Sequence, residues 1–156
     1  MRVREAQAND VDRVVKLCAE HAYPELLWKH VRFQPDALTE TLRLMVGSPT
    51  GTCLLLEEEG GDLVGFALVF VNRYFFSHDR YASDLTFYVR PDRRRGWPGV
   101  RLIRAMIAFA KSQNVQELLL TVNSGVKVER TVQLIERLGG RVLGRSMSIS
   151  LRGNEE

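Results

Sequence analysis

The residues of this 156-residue sequence that are best suited to chemistry form a loop rich in arginine and glycine, over residues 90–98. The loop follows a predicted strand, Tyr81–Val89, and leads directly into a predicted helix, Gly99–Gln113. The N–H groups at the start of a helix have no partner within the helix, and the helix dipole favours an anion there. Glycine also lets a ligand approach the main chain. The segment therefore has the physical properties of a pyrophosphate-binding loop.

Positive charge is concentrated around this loop. The whole chain has 22 basic and 19 acidic residues and a net charge of only +3. The range Arg90–Arg104 alone holds six arginines and one aspartate, a local excess of 6 − 1 = +5. A compact cationic cluster on a weakly charged protein favours a discrete anion over a long polyanion. Charge alone is more simply explained by a solvated arginine-rich turn, so the interpretation depends on the surrounding elements.

The hydrophobic pattern predicts ten elements, in the order β-α-α-β-β-β-α-β-α-β. Helical spacing of apolar residues marks four helices, and short apolar or alternating runs mark six strands. An antiparallel meander followed by a βαβ unit predicts an α/β fold of the α+β type: one mixed, mostly antiparallel sheet with helices on both faces. The other predicted ranges are Arg2–Ala6, Asn9–Ala22, Pro35–Gly47, Gly51–Glu58, Leu63–Asn72, Glu117–Val122, Val128–Leu138 and Arg141–Leu151.

Length and composition predict a single domain over residues 1–152, followed by a polar tail at 153–156. Hydrophobic residues make up 45% of the chain and charged residues 26%, as is typical of soluble globular proteins. No run approaches the ~20 apolar residues of a membrane span, and no apolar segment of a secretory signal follows the N-terminus. Cys18 and Cys53 lack partners at metal-ligand spacing and are expected to be buried thiols. We therefore expect a cytoplasmic protein without metal or membrane contact.

Together, the loop and its flanking elements resemble the acyl-CoA-binding motif of the GNAT superfamily of N-acetyltransferases. In that superfamily the loop follows a strand that ends in Val-x-Pro, which Val89 and Pro91 match, and it carries [Gln/Arg]-x-x-Gly, which Arg93 and Gly96 match. The element order also fits, and the range Thr131–Gly139 is similar to a late helix of the superfamily. The stretch from Phe75 to Leu85 resembles a subgroup often met in phages and prophages.

The resemblance implies that acetyl-CoA is the co-substrate and that its pantetheine arm fills a gap between the strands Tyr81–Val89 and Glu117–Val122. The backbone of the first strand would pair with this arm as it would with a neighbouring strand. The amides from Arg94 to Gly99 would hold the pyrophosphate, and arginine side chains would reach the phosphates. The implied cofactor-binding residues are Phe87, Tyr88, Val89, Arg93, Arg94, Arg95, Gly96, Trp97, Gly99, Val100 and Arg101.

Several residues depart from the superfamily pattern, and two of them bear directly on the chemistry. Pro98 replaces the second Gly/Ala of the loop, which removes one N–H donor and should displace Trp97 from α geometry. Loss of one hydrogen bond to a charged group costs about 1.5–3 kcal/mol, so we expect weakened but not abolished CoA binding. Ile135 stands where many relatives have the tyrosine that protonates the leaving thiolate. Without another proton donor, the absence of this tyrosine should lower the rate of transfer about 10²–10⁴-fold. Tyr88 and Ser124 are the candidates for that donor.

The implied reaction also requires a base that removes a proton from an ammonium group. Asp84, on an otherwise apolar strand, is the first candidate, although an aspartate there also fits a bond to a neighbouring backbone group. His78, Asp79 and Glu129 are alternatives that surface positions explain equally well. The aromatic cluster at residues 74–76 either walls the acceptor site or packs in the core or at a dimer contact.

Three functions are compatible with these observations. The first is transfer of an acetyl group from acetyl-CoA to a primary amine by direct attack within a ternary complex, without a metal or a covalent enzyme intermediate. The second is a CoA-binding module with little or no transferase activity. Pro98 and Ile135 are compatible with this function, since both depart from the superfamily pattern. The third is a nucleic-acid-binding domain, disfavoured because the arginines lack interleaved aromatic side chains. The sequence leaves open the acceptor amine and the choice between monomer and homodimer.

Overall fold

The protein folds around one five-stranded sheet with the strand order β1-β2-β3-β4-β5. The computed structural model describes residues 1–26, 30–122 and 124–151. Strands β1 to β4 are antiparallel neighbours, and β5 lies parallel to β4. This mixed, mostly antiparallel sheet confirms the predicted fold class. The strands are β1 Arg2–Glu5, β2 Gly51–Glu57, β3 Leu63–Arg73, β4 Arg80–Val89 and β5 Leu118–Leu119.

Helices cover both faces of the sheet. Val14 and Leu42 belong to a buried cluster on one face, whereas Leu102 and Met106 belong to a cluster on the other. Strand β2 lies between these layers and is buried along its whole length, which explains its unbroken apolar run. No helix in the described ranges is both long and apolar enough to cross a bilayer. The helices are α1 Val11–Leu17, α2 Tyr23–Glu25, α3 Pro35–Met45, α4 Pro98–Ser112 and α5 Val128–Arg137.

A π-helical turn, Cys18–Ala22, joins α1 to α2. At its end the N–H of Tyr23 donates to the carbonyl of Cys18, five residues earlier. Pro24 follows directly, and a proline ring in a regular helix would clash with the carbonyl four residues before it. Widening the preceding turn relieves that clash. The turn leaves Cys18 and Ala22 buried on the face of the sheet where the site described below is formed.

An ion-pair network fixes the start of α1 against β1 and β2. Arg4 donates to both carboxylate oxygens of Asp10 (2.7 and 2.8 Å) and to Glu57 (2.8 and 2.9 Å). Arg13 contacts the same two carboxylates at 2.9 Å. Asp10 and Glu57 are buried, and the hydrogen bonds from Arg4 hold the pKa of both carboxyls below its usual value. Buried carboxylates of this kind depend on their partners.

The last predicted strand is wrong. Residues 141–151 have no regular structure and their side chains are exposed, although apolar and polar residues alternate there. A strand needs a neighbouring strand that bonds its backbone, and the sheet of the described residues contains no strand after β5. Strand β5 is also shorter than the predicted range Glu117–Val122. The polar tail predicted at 153–156 lies outside the described residues, and the domain boundary at residue 152 stays a prediction.

Candidate active site

Strands β4 and β5 separate soon after they meet. In the described ranges two residue pairs join them, Ala82 with Leu118 and Ser83 with Leu119. Next along β4, the side chain of Asp84 takes the place of a backbone partner: its Oδ1 accepts the N–H of Thr121 at 2.7 Å. The predicted gap between these strands is therefore confirmed. Beyond it, no described strand pairs with this edge of β4.

A β-bulge in β4 lies at the point of separation. Leu68 pairs with Thr86 and Val69 pairs with Asp84, so that Leu85 is left between two pairs. An extra residue of this kind bends a strand and increases its local twist. As a result, the side chain of Leu85 is half exposed (51%), whereas the residue before it, Asp84, is buried. The bulge turns the end of β4 away from β5 and thereby widens the gap.

A cavity of about 690 Å³ occupies this gap and extends under the first helices. Its floor is β4, and its walls come from the π turn, α2, α3, the start of α4, the segment after β5, and α5. Three of the predicted cofactor-binding residues, Phe87, Tyr88 and Val89, line it, and their role in binding stays a prediction. Further lining residues include Cys18, Tyr23, Glu25, Phe33, Leu38, Phe66, Arg94, Gly96, Gly99, Val100, Ser124, Lys127, Arg130 and Arg137.

The arginine-glycine loop contributes main chain to the cavity lining at its glycines. Gly96 has φ of +86°, a left-handed conformation that favours glycine, and it lines the cavity together with Gly99 and Val100. Helix α4 begins at Pro98, so its 15 residues start beside the cavity. The predicted displacement of Trp97 from α geometry is wrong, since its φ and ψ are −87° and −11°. The Trp97 carbonyl accepts the N–H of Arg101 at 2.9 Å. This hydrogen bond offsets the steric clash that a proline causes with an α-helical residue before it.

The four predicted phosphate-binding arginines differ in their surroundings. Arg93 donates to Glu58 and to Asp92, both at 2.7 Å, and is not among the residues that line the cavity. Arg94 lines the cavity, but its guanidinium is held by Glu25 and by the carbonyl of Val89. Arg95 and Arg101 are exposed, and in the described ranges no hydrogen bond or ion pair engages either side chain. Trp97 is 66% exposed beside them.

Asp84, the predicted base, is a buried carboxylate at the apex of the gap. It is 5% exposed, and its Oδ2 has no hydrogen-bond partner among the described residues. Burial raises the pKa of this carboxyl to about 6, against the smaller opposing effect of the Thr121 N–H. Asp84 does not itself line the cavity, whereas its neighbours Leu85 and Thr121 do. It could therefore exchange a proton with a bound amine through a water molecule but not by direct contact.

Tyr88 and Ser124, the predicted proton donors, both line the cavity. The Tyr88 hydroxyl is buried without a hydrogen bond of ordinary geometry to any described residue. Burial, followed by the nearby Glu25 carboxylate, raises the pKa of Tyr88 above its usual value, so it stays protonated at neutral pH. The Ser124 Oγ accepts the N–H of Val126 at 3.3 Å, which leaves its own proton available to a ligand.

The cationic wall formed by α5 was not predicted from the sequence. Lys127, Arg130 and Arg137 line the cavity with Gln133 and Leu134, and the last of these lies 3.5 Å from the position of a Cβ on Gly99. Residues 130, 133, 134 and 137 lie on one face of a helix, a spacing that is visible in the sequence. Attention to charged residues at helical spacing would have identified this wall.

The remaining predicted candidates lie elsewhere. His78 and Asp79 are exposed at the turn between β3 and β4, and Glu129 is exposed in the first turn of α5. Phe75 and Phe76 are 99% and 72% exposed at the same β3–β4 turn and are not among the cavity-lining residues. The aromatic cluster therefore does not wall this cavity. A role for it at a dimer contact stays a prediction.

Comparison with solved structures shows a common fold. The chain superimposes on a tetramutant of the BH1408 protein from Bacillus halodurans with a TM-score of 0.75 and 20% identity, covering 97% of this chain and 100% of that chain. A ribosomal-protein-alanine N-acetyltransferase from Brucella melitensis biovar Abortus 2308 gives 0.70 and 20%, covering 97% and 100%. The aminoglycoside acetyltransferase meta-AAC0020, from an uncultured soil metagenomic sample and in complex with sisomicin, gives 0.70 and 15%, covering 97% and 96%.

Comparisons at the level of sequence identify the family. Comparison with curated protein sequences gave no significant match. A model of the acetyltransferase (GNAT) family, in contrast, matches residues 16–139, a range that includes the cavity walls from the π turn to α5. The narrower resemblance to a phage and prophage subgroup stays a prediction. Because the family match spans most of the chain and the fold agrees with it, the protein belongs to the acetyltransferase (GNAT) family.

Proposed function

We propose that the protein transfers an acetyl group from acetyl-CoA to a primary amine by direct attack within a ternary complex. Family membership supports acyl transfer in general. The observation that carries the specific proposal is the open edge of β4 after Ser83, where an extended thioester arm would find backbone groups that no described strand pairs. In the reaction the deprotonated amine nitrogen forms a bond to the acetyl carbon, the carbon–sulfur bond breaks, the nitrogen releases a proton to give the amide, and the thiolate takes up a proton to give the free thiol.

The donor set around the cavity fits the phosphates of acetyl-CoA. Gly96 and Gly99 bring main chain to the cavity at the start of α4, where the helix dipole favours an anion. Lys127, Arg130 and Arg137 add positive charge from α5 on the opposite wall. Arg95 and Arg101, which are exposed on the loop and in the first turn of α4, are our candidates for contacts with the outer phosphates. Pro98 removes one N–H from this set, so we expect weaker binding than a loop with glycine at that position would give.

The proton transfers are assigned to groups near the gap. Asp84, whose pKa is about 6, accepts the proton of the attacking ammonium through water at the apex of the gap. Tyr88, which lines the cavity and whose hydroxyl is protonated at neutral pH, donates a proton to the leaving thiolate. These roles require no contribution from Ile135, which stands where many relatives have tyrosine.

The test combines a binding measurement with a turnover measurement. Saturating acetyl-CoA should raise the thermal unfolding temperature, since a ligand at 100 times its Kd adds about 2.7 kcal/mol of apparent stability. Thiol release with a panel of amines then reports transfer. Arg130→Gln should weaken acetyl-CoA binding about tenfold, whereas the matched control Arg104→Gln, on the exposed face of α4, should change it less than about twofold. Binding without thiol release from any amine would identify a CoA-binding module, and absence of binding would refute the proposal.

A further inference from the structure

The two ends of the cavity differ in chemistry. The end at α4 and α5 is cationic, as described above. The other end lies between the first helices and the face of β3 and β4, and it is lined by Cys18, Ala22, Tyr23, Phe33, Leu38 and Phe66. We call this set the apolar arm. Since the phosphates of the co-substrate require the cationic end, the apolar arm is left for the acceptor.

One carboxylate among the described lining residues faces the apolar arm, and it is already paired. Glu25 accepts two hydrogen bonds from the guanidinium of Arg94, one at 3.2 Å and one shorter. Arg94 is held in turn by the carbonyl of Val89 at 2.7 Å and lies over the ring of Tyr88, 5.2 Å from its centroid. The side chains of Arg94 and Glu25 are only 17% and 26% exposed. The pair therefore adds no net charge to the arm.

Aromatic rings dominate the remaining surface of the arm. The rings of Tyr23 and Phe33 are 5.2 Å apart, and those of Phe66 and Tyr88 are 6.3 Å apart. The hydroxyl of Tyr88 is the buried polar atom there that lacks a hydrogen-bond partner in the described part of the chain. A pocket with apolar walls and few polar groups binds a ligand that is itself mostly apolar, with one polar group at a defined point.

We propose that the acceptor is an amine with a single positive charge on an aromatic or comparably apolar body, and that polycationic amines are rejected. This inference rests on the proposed function. The reacting amine lies at the gap, within reach of Asp84 through water, while the apolar body fills the arm. A second ammonium group in the arm would be desolvated without a free carboxylate. It would also be repelled by the cationic wall on α5.

The first test compares acceptors on protein whose acetyl-CoA binding has been measured separately. Thiol release should give a kcat/KM for 2-phenylethylamine at least about tenfold higher than for spermidine or kanamycin. The neutral analogue 2-phenylethanol should inhibit in competition with the amine, which reports occupation of the arm without turnover. If acetyl-CoA does not bind, the proposed function fails. If acetyl-CoA binds and the polycations react as fast as 2-phenylethylamine, or 2-phenylethylamine does not react, only the acceptor inference is overturned.

The second test uses the ion pair itself. Arg94→Gln frees the Glu25 carboxylate and makes the arm acidic, so the kcat/KM ratio of 1,4-diaminobutane to butylamine should rise about tenfold. The double variant Glu25→Gln with Arg94→Gln should return the ratio to within about twofold of the original. The matched control Arg104→Gln removes a positive charge outside the cavity lining and should leave the ratio unchanged. A ratio that does not rise in Arg94→Gln, or that stays high in the double variant, would overturn the proposal.

Discussion

Replacing Asp84 by asparagine tests how burial affects the ionisation of the carboxyl group at the gap between β4 and β5. In the native protein the carboxylate is buried, one oxygen accepts the N–H of Thr121, and the other has no described partner. Asparagine has nearly the same shape and keeps an oxygen that can accept the same N–H, but it cannot ionise. The substitution therefore removes the titration of this group while retaining its size and one of its contacts.

The expected magnitude follows from the pKa of this carboxyl. Burial raises that pKa from 3.8 to about 6, and a difference of about 2 pKa units corresponds to about 3 kcal/mol. Because the folded value is the higher one, the native protein loses this stability as the pH rises from about 4 to above 6. Asparagine instead places an NH₂ group where Oδ2 has no partner, at a cost of about 1–3 kcal/mol. Asp84→Asn should thus be about 1–3 kcal/mol less stable near pH 4 and about 0–2 kcal/mol more stable at pH 8.

Urea unfolding of both proteins at several pH values between 4 and 8 measures these differences. Asp79→Asn, an exposed aspartate just before β4, is the control and should differ from the wild type by less than about 0.5 kcal/mol throughout. In parallel, kcat/KM should rise through an apparent pKa near 6 in the wild type and lose that dependence in Asp84→Asn. A stability difference between the two proteins that is constant over this pH range would refute the reasoning about burial.

Other consequences follow from the same structure. Pro98→Gly restores an N–H at the start of α4 and should tighten acetyl-CoA binding about tenfold by calorimetry, whereas equal or weaker affinity would count against the proposed placement of the loop. Arg4→Met leaves Asp10 and Glu57 buried without their main partner and should lower the free energy of unfolding by about 3–5 kcal/mol in urea; a loss below about 1 kcal/mol would contradict the inferred network. Burial raises the pKa of the Cys18 thiol to about 12, so iodoacetamide at pH 8 should modify it only after unfolding; rapid native labelling would contradict this.

The order of elements and the loop at the active site could be predicted from the sequence because their signals are local. The apolar run of β2 and the helical spacing in α4 each lie within a few residues, and burial on both faces of the sheet follows from them. The glycine of the loop, Gly96, has the positive φ that its residue type favours. Predictions failed where a local pattern depended on a distant partner, as in residues 141–151, which alternate like a strand but are not part of the sheet in the described part of the chain.

Contacts between distant residues decided the character of the site. Arg94 and Glu25 are 69 positions apart, so no local pattern could show that this arginine pairs with a carboxylate in the apolar arm. Asp84 and Thr121 are 37 positions apart, yet their hydrogen bond marks where β5 leaves the sheet. The sequence alone determined a mixed sheet between helices and a cationic loop at a helix start, since hydrophobic periodicity and helix starts are properties of neighbouring residues. Only the tertiary structure decided which charges are neutralised and where the sheet opens, because both depend on side chains that meet through folding.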